Sequence, residues 1–307
     1  MARLFITGGH GMVGRNLRAH PGMAGWQVLA PSRSELDLCD AGALRDWLDR
    51  HRPDAVVHAA GVVGGIQANM AEPVRFLAQN ARIGLNLIAA CREIRVPVLI
   101  NLSSSCVYPR DLGRDLAEEQ ILTGAPEPSN EGYALAKIMA MRLVEYACRE
   151  DPALQWRTLI PCNLYGPHDK FDPAQSHLLP AAIHKIHRAK VENRGTVEIW
   201  GDGRARREFM YAGDLAEAIL RALADPAALP PAMNLGPGTD HAINDYYRIA
   251  AEVIGWRGRF THDPGKPVGM RRKLLSVARQ AEWGWAPRTG LREGIAATYA
   301  WYLENRP

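Results

Sequence analysis

Arg3-Leu-Phe-Ile-Thr-Gly-Gly-His-Gly-Met-Val-Gly14 is a short apolar run followed at once by regularly spaced glycines. The apolar run has strand character, and Gly8, Gly11 and Gly14 fit a Gly-x-x-Gly-x-x-Gly turn between a strand and a helix. Such glycines allow a tight turn, close approach of a pyrophosphate and close packing of helix on strand. The start of that helix, at Met12 and Val13, then receives the phosphates. A simple surface turn is the alternative, but the position directly after a strand favours dinucleotide binding.

The end of the second predicted strand indicates which dinucleotide binds. Residues 26–30 run into Pro31-Ser-Arg33, and this strand end lacks the Asp or Glu that an NAD site offers to the ribose hydroxyls. Arg33 is placed to meet a 2′-phosphate, because a planar guanidinium can bind that anion through two parallel hydrogen bonds. A solvated loop arginine is the alternative. We therefore expect NADP(H), with Asp37 and Leu38 near the adenine.

Strand and helix patterns alternate through the first half of the chain. This alternation predicts an α/β fold with a parallel sheet covered on both faces. Ligands of such sheets bind beyond the carboxyl ends of the strands. The predicted strands are 3–7, 26–30, 54–58, 97–103 and 156–161, and the predicted helices are 13–20, 41–51, 73–95 and 132–149.

The pattern changes after about residue 163, where a helix at 180–190 and a strand at 196–200 occur among frequent Pro and Gly. A helix beginning at Asp214 and a strand over 232–236 have the character of elements that rejoin the first sheet. We therefore expect a Rossmann-type, doubly wound nucleotide-binding domain over 1–163 with 208–240 returning to it. A smaller α/β substrate domain would comprise 164–207 and 241–307.

Composition limits the other classes of function. The 307 residues are 47% hydrophobic and 23% charged, with a net charge of +4, and no apolar run has the length of a membrane span. Five cysteines in no metal-type spacing predict reduced thiols in a cytoplasm and no metal site. The basic clusters 204–207 and 271–273 are short and lack interleaved aromatics, so a small anionic substrate explains them better than nucleic acid.

Tyr133-Ala-Leu-Ala-Lys137 places a phenol and an ammonium one helical turn apart. Residues four apart lie one above the other, so the pair can share one cofactor and one substrate. We expect the lysine charge to lower the pKa of Tyr133 from about 10 towards neutrality, which would suit proton donation to a carbonyl. Taken alone, the pair also fits an ordinary amphipathic helix.

Asn101-Leu-Ser-Ser-Ser-Cys-Val-Tyr-Pro109 follows a buried strand and directs hydroxyl groups towards the predicted ligand crevice. With the glycines, Tyr133 and Lys137 all present, the chain resembles the extended short-chain dehydrogenase/reductase family. The resemblance implies that Ser104 orients the carbonyl and that Tyr133 donates the proton. It also implies that Lys137 binds the nicotinamide ribose and tunes the tyrosine.

Further motifs resemble members of that family that epimerise C3 and C5 of GDP-4-keto-6-deoxy-D-mannose and then reduce C4 with NADPH. Carbons beside a ketone are acidic because the carbanion delocalises as an enolate, so epimerisation needs a base and an acid. The resemblance implies that Cys106 is the base and His177 the acid. An inert thiol and a structural imidazole are the alternatives. The motifs are Gly11-Met-Val-Gly14, Val63-Gly-Gly-Ile66, Ser104-Ser-Cys-Val-Tyr-Pro109, Asn163-Leu-Tyr-Gly-Pro167, Ser176-His177, Arg207-Glu-Phe209 and Arg272-Lys-Leu-Leu275.

The same resemblance implies a GDP-sugar site at Lys185, Trp200, Arg207 and Lys273, whose cations would oppose the diphosphate charge. Scattered surface positions are the alternative. It also implies a homodimer that pairs through the helices 73–95 and 132–149. The residues expected to contact the cofactor are Gly8, Gly11, Met12, Val13, Gly14, Arg33, Asp37, Leu38, Ala60, Tyr133, Lys137, Asn163 and His177.

Several positions depart from the family pattern near the expected ligands, namely His10, Val62, Lys170, Val268 and Ser276. Another GDP-linked 4-keto sugar, such as a heptose or a dideoxy sugar, is therefore the alternative substrate, and a chain retaining only reduction or only epimerisation is the alternative activity. A redox-sensing binding protein without turnover is disfavoured, because it would be expected to have lost Tyr133 or Lys137.

Overall fold

The computed structural model of the chain describes residues 1–172, 176–266 and 268–305. Its strands, in chain order, are β1 (Ala2–Thr7), β2 (Trp26–Leu29), β3 (Ala55–His58), β4 (Val98–Leu102), β5 (Gln155–Pro161), β6 (Asn163–Tyr165), β7 (Thr196–Trp200), β8 (Arg206–Arg207), β9 (Phe209–Tyr211), β10 (Ala232–Leu235), β11 (His241–Ala242), β12 (Arg259–Asp263) and β13 (Arg272–Lys273). Its α-helices are α1 (Met12–Ala19), α2 (Ala41–His51), α3 (Ile66–Ala71), α4 (Pro73–Glu93), α5 (Glu131–Glu150), α6 (Leu178–Val191), α7 (Ala212–Ala224), α8 (Ile243–Ile254), α9 (Ala278–Glu282) and α10 (Leu291–Glu304).

The main sheet of the described residues has the strand order β2-β1-β3-β4-β5-β10, and every neighbouring pair is parallel. The chain leaves β1 for β2 on one side and then returns to β3 on the other. The carboxyl ends of β1 and β3 therefore border the crevice at which the strand order reverses, where such sheets bind ligands. This arrangement confirms the predicted doubly wound parallel sheet, including the last strand that rejoins it.

Alternating side chains of the central strands supply two cores, one on each face of the sheet. In β1, Leu4 and Ile6 lie in the core that includes α7, whereas Phe5 lies in the core beside α2 and α4. Successive side chains of a strand point to opposite faces, so a strand covered on both faces reads as an unbroken apolar run. The five strands predicted in the first half agree with the structure to within one residue at each end.

A third core lies among α6, α8 and α10, and it contains Ile183, Tyr246 and Ile295. The helix predicted at 180–190 is α6, and the strand predicted at 196–200 is β7. The predicted helix beginning at Asp214 is α7, which packs against α1. The domain boundaries given above remain a prediction.

Two small sheets place basic residues close to the carboxyl edge of the main sheet. Strand β8 lies between β11 and β13, and its Arg207 is opposite Lys273 of β13. Strand β6 pairs with β9, and Asn163 of β6 donates a hydrogen bond to the carbonyl of Glu208 at 2.9 Å. Across the described residues, no helix is long and apolar enough to cross a membrane.

Candidate active site

The glycine turn between β1 and α1 forms a close-packed cradle. Gly8 has a φ of +69°, and a Cβ placed on it would lie 2.8 Å from the backbone nitrogen of Ala60. A Cβ on Gly14 would overlap the carbonyl oxygen of Gly8, which also accepts a hydrogen bond from the Gly11 amide at 2.9 Å. Helix α1 begins at Met12 with Val13 in its first turn, and Gly11 is its N-cap. The cradle therefore presents the start of a helix to a pyrophosphate.

The loop between β2 and α2 carries the residues expected at the adenosine end of the cofactor. Arg33 is exposed there, Asp37 accepts a hydrogen bond from the Cys39 amide at 3.0 Å, and the Leu38 carbonyl accepts one from Asn86. Sequence reasoning missed Glu35 in this loop, although it lies two residues after Arg33. Its carboxylate accepts from the Ser32 amide at 2.7 Å, and that hydrogen bond lowers the pKa of Glu35.

His10 contacts this same region, because its Nε2 lies 3.1 Å from the carbonyl oxygen of Ala30 at the end of β2. The imidazole thus spans from the glycine turn to the strand that leads into Arg33. His10, one of the departures from the family pattern, therefore contacts the end of β2, which leads into the loop that carries Arg33.

Ser104, Tyr133 and Lys137 come together between the ends of β4 and α5. Ser104 hydrogen-bonds to the Tyr133 hydroxyl, and the Lys137 Nζ lies 5.8 Å from the centre of the Tyr133 ring. The expected lowering of the Tyr133 pKa is wrong for this structure. Burial raises the pKa of Tyr133 well above its usual value, the electrostatic interaction with Cys106 raises it further, and the Ser104 hydrogen bond only partly opposes them.

Lys137 is buried between the ends of β3 and β4, where its Nζ donates to the Leu102 carbonyl at 2.9 Å. Burial lowers the pKa of Lys137 to about 8, since a low-dielectric site disfavours the charged form. Asn80 of α4 fixes the adjoining loop by accepting from the Val62 amide at 2.8 Å and donating to the Val62 carbonyl. Sequence reasoning missed Asn80, because one Asn inside an amphipathic helix carries no motif.

Cys106 lies in a short 3₁₀ turn after β4, two residues beyond Ser104, whose hydroxyl accepts from the Cys106 amide at 3.3 Å. Two side chains donate to its sulfur: Asn130 Nδ2 at 3.1 Å and Lys273 Nζ at 3.4 Å. Asn130 was not among the residues expected from the sequence. It lies three residues before Tyr133, a spacing that carries no chemical signal of its own.

His177 is the N-cap residue of α6 and is half-buried. Burial lowers the pKa of His177, and the positive charges of Lys170 and Lys273 lower it further. Lys273 therefore neighbours both Cys106, through its hydrogen bond, and His177, through its charge. The two residues that the sequence pairs as base and acid share this lysine as a common neighbour.

The remaining predicted ligands line one edge of this cluster. Arg207 donates to the Val268 carbonyl at 2.7 Å and also interacts electrostatically with Cys106. Lys185 lies 5.2 Å from the centre of the Trp200 ring at the end of β7. The turn after Trp200 packs against Val268, because a Cβ on Gly201 would overlap the Val268 side chain. Val268 therefore contacts both the turn after Trp200 and the Arg207 guanidinium.

Several buried polar atoms near this cluster have no hydrogen-bond partner among residues 1–172, 176–266 and 268–305. They include Asn69 Oδ1, Ser129 Oγ, Asn130 Oδ1 and Ser176 Oγ. Helix α3, which contains Asn69, packs against the turn 128–130. Buried polar groups normally have partners, so unpaired ones around a crevice are suited to the hydroxyl groups of a bound molecule. Within those same ranges, no group of three His, Cys, Asp or Glu side chains could hold a metal ion.

Comparisons with known proteins identify the family of the chain. The chain is 50% identical to GDP-L-fucose synthase of Azorhizobium caulinodans, covering 98% of this chain and 96% of that protein. It is 45% identical to GDP-L-colitose synthase of Yersinia pseudotuberculosis, covering 99% of each. A GDP-mannoheptose C4 reductase from Campylobacter jejuni, solved with NADP bound, superposes with a TM-score of 0.89 at 27% identity, covering 98% of each chain. The sequence model of one family matches residues 4–236. The chain therefore belongs to the NAD dependent epimerase/dehydratase family.

Proposed function

We propose that this chain is an NADP(H)-dependent epimerase–reductase that converts GDP-4-keto-6-deoxy-D-mannose to GDP-L-fucose. The observation that carries the proposal is one cluster in which Cys106 lies beside the Ser104–Tyr133 pair and shares Lys273 with His177. Such a cluster holds a carbon base, a second proton donor and a carbonyl acid in one crevice. The relative of 50% identity that bears the name GDP-L-fucose synthase supports this substrate.

Epimerisation uses Cys106 and His177 at the carbons beside the C4 ketone. The Cys106 thiolate takes the proton, the C–H bond breaks, and its electron pair delocalises into the ketone oxygen as an enolate. His177 then gives its N–H proton to the opposite face of that carbon, and the ketone re-forms. These two proton transfers leave the oxidation state of the sugar unchanged. The lowered pKa of His177 makes its protonated imidazole a stronger acid but a less populated one at neutral pH.

Reduction uses Ser104, Tyr133 and Lys137 at the C4 carbonyl. The bound nicotinamide supplies the hydride. Tyr133 gives its hydroxyl proton to the developing alkoxide, and Ser104 holds the carbonyl oxygen by a hydrogen bond. The raised pKa of Tyr133 means that the phenol carries the required proton at neutral pH. Lys137 anchors the strand end through Leu102 and keeps further N–H donors for the ribose.

The cofactor proposal rests on the cradle and on the adenosine loop. The backbone packs so closely at Gly8 and Gly14 that neither position admits a Cβ, and this tight turn leads directly into the start of α1. Arg33 supplies a positive charge where a 2′-phosphate would lie, while Glu35 is engaged with the Ser32 amide. Met12, Val13 and Ala60 border the cradle, and Asp37 and Leu38 border the adenine. The GDP-sugar is proposed to bind in the predicted substrate domain, segments 164–207 and 241–307.

We also infer a homodimer in the cytoplasm. All five cysteines are free thiols, which fits a reducing compartment. Helices α4 and α5 pack closely, since a Cβ on Gly84 would lie 3.1 Å from that of Ala140. Their outer faces expose large apolar side chains, for which a second copy of the chain is the proposed cover. These side chains are Val74, Leu77, Leu85, Leu135 and Tyr146.

One assay tests the activity. The protein is incubated in deuterated water with NADPH and GDP-4-keto-6-deoxy-D-mannose, and NADPH oxidation is followed together with deuterium at C3 and C5. We expect oxidation of NADPH and deuterium at both carbons of the product. Absence of both signals would refute the proposal, whereas NADPH oxidation without deuterium would leave a C4 reductase. Repeating the assay with NADH tests the assignment of Arg33.

The alternative substrate is another GDP-linked 4-keto sugar, a dideoxy sugar or a heptose. It is favoured by the 45% identity to a GDP-L-colitose synthase and by the position of Val268, which lies between the Trp200 turn and Arg207. An apolar side chain there differs from the acidic one expected from the family pattern. A GDP-4-keto-3,6-dideoxy sugar offered in competition would be preferred under this alternative and disfavoured under the main proposal.

A further inference from the structure

We propose that Lys273 and Asn130 act together to hold Cys106 as a thiolate, which makes them positioning residues for the carbon base. This goes beyond the GDP-sugar contact expected for Lys273, and Asn130 had no expected role. The part that the thiolate plays in catalysis rests on the proposed function. The protonation state of the Cys106 sulfur does not depend on the proposed function, and it can be measured without a substrate.

Lys273 is placed to pair with an anion inside the protein. It is only 9% exposed, and its Nζ lies 3.4 Å from the Cys106 sulfur. A buried ammonium is costly unless it is paired, so a nearby thiolate and this lysine stabilise each other. Lys273 is held in β13 opposite Arg207 of β8, and two residues later the Leu275 amide donates to the buried Glu208 carboxylate at 3.0 Å.

The Asn130 side chain contacts the Cys106 sulfur instead of capping its helix. It is the N-cap residue of α5, and asparagine is a preferred N-cap because its side-chain oxygen accepts from the first helical amides. Here the side chain makes no capping bond, and its Nδ2 donates to the Cys106 sulfur at 3.1 Å. Its Oδ1 is buried without a partner in the described chain, so it faces the crevice as a free acceptor.

Two donors aimed at one sulfur favour the deprotonated form. The ammonium of Lys273 and the amide N–H of Asn130 can donate but offer the sulfur no acceptor at these positions. A thiol proton would have to point away from both, whereas a thiolate accepts both hydrogen bonds. Among the described residues, Arg207 and Tyr133 also interact electrostatically with the sulfur. Arg207 adds positive charge, and the Tyr133 phenol is uncharged at neutral pH.

The experiment measures how fast iodoacetamide alkylates Cys106 in the protein with no substrate, at neutral pH, with each cysteine peptide resolved by mass spectrometry. Lys273→Met is expected to slow alkylation of Cys106 by about tenfold, since iodoacetamide reacts with the thiolate. Lys273→Arg retains a cation and is expected to restore most of the rate. Lys190→Met is the matched control, because the Lys190 Nζ donates to the Ile254 carbonyl away from the crevice, and it leaves the Cys106 rate unchanged.

Asn130→Asp separates the proposed role from a purely structural one. Aspartate is as good an N-cap as asparagine, so α5 is expected to keep its stability. However, a carboxylate cannot donate to the sulfur and repels a thiolate, so alkylation of Cys106 is expected to fall by about tenfold or more. Circular dichroism and NADPH binding show that each variant is folded.

An unchanged Cys106 alkylation rate in folded Lys273→Met and Asn130→Asp would overturn the inference. If Lys273 served only the GDP-sugar, its replacement would raise the KM and leave alkylation as it was. Failure of the proposed function shows in a different readout, since the wild-type protein would then react rapidly with iodoacetamide and still introduce no deuterium into the sugar.

Discussion

At the scale of single residues, Tyr133 is the side chain whose removal separates the two halves of the proposed chemistry. Cys106 and His177 move protons at carbon without the phenol, whereas the C4 alkoxide needs it. Tyr133→Phe is therefore expected to lower the rate of NADPH oxidation by about 10²- to 10⁴-fold while deuterium still enters at C3 and C5. Both rates are measured on the same sample in deuterated water.

Tyr146→Phe is the control for that variant, because Tyr146 lies on the same helix and is exposed. It is expected to leave both rates unchanged. If Tyr133→Phe lost both deuterium exchange and reduction, the proposed separation of epimerisation from reduction would be contradicted, since the phenol would then take part in epimerisation as well.

The glycine cradle gives a second prediction at this scale. Gly14→Ala places a methyl group where the Gly8 carbonyl lies, so either the turn or the helix must shift. We expect the Kd for NADPH to rise by about tenfold or more, because the amides of α1 no longer meet the pyrophosphate. Gly25→Ala is the matched control, since a Cβ there meets nothing within 4 Å. Titration of NADPH fluorescence measures the Kd of both variants. Equal Kd values would contradict the proposal that the glycine cradle binds the pyrophosphate.

What the sequence could predict at single positions depends on spacing. Gly8, Ser104, Tyr133 and Lys137 belong to patterns with fixed intervals, so their grouping was predictable, and the structure brings them to one edge of the sheet. Asn130 belongs to no such pattern, because its contact with Cys106 joins two separate loops. The direction of the Tyr133 pKa was also missed, since it depends on burial that a single sequence does not display.

At the scale of elements, long and regular segments were predictable and very short ones were not. The strands of the main sheet are covered on both faces and therefore read as apolar runs. Strands β8 and β13 have two residues each, too few for any periodicity, yet their pairing places Arg207 opposite Lys273. The part of the site that is proposed to recognise the sugar thus depends on elements that sequence patterns do not reveal.

The loop between β6 and α6 gives a prediction about pH. Burial raises the pKa of Asp169 to about 7, and its Oδ2 has no partner in the described ranges. The unfolded chain releases this proton near pH 4, so the folded state binds more protons between about pH 4 and 7. The stabilisation is therefore complete below about pH 4 and is lost as the pH rises through about 7.

Asp169→Asn removes that loss, because the amide does not ionise. Relative to the wild type, the variant is expected to gain about 2 kcal/mol in unfolding free energy between about pH 5 and 8. Urea unfolding without cofactor at several pH values measures it. If the plots of unfolding free energy against pH run parallel for wild type and variant across this range, the raised pKa of Asp169 would be contradicted.

At the scale of the whole molecule, the exposed apolar stripe of α4 and α5 predicts the assembly. Leu85 is 47% exposed at the middle of α4, where a charge would be buried on dimerisation. We expect Leu85→Glu to convert a dimer into a monomer at micromolar concentration, measured by sedimentation velocity. Leu122→Glu is the control, because Leu122 is 55% exposed in a turn away from both helices, and it should leave the dimer intact. A wild-type monomer would refute the homodimer. A Leu85→Glu dimer of unchanged stability would place the subunit contact on another surface, since an uncompensated glutamate at the centre of this stripe cannot pack against its own copy.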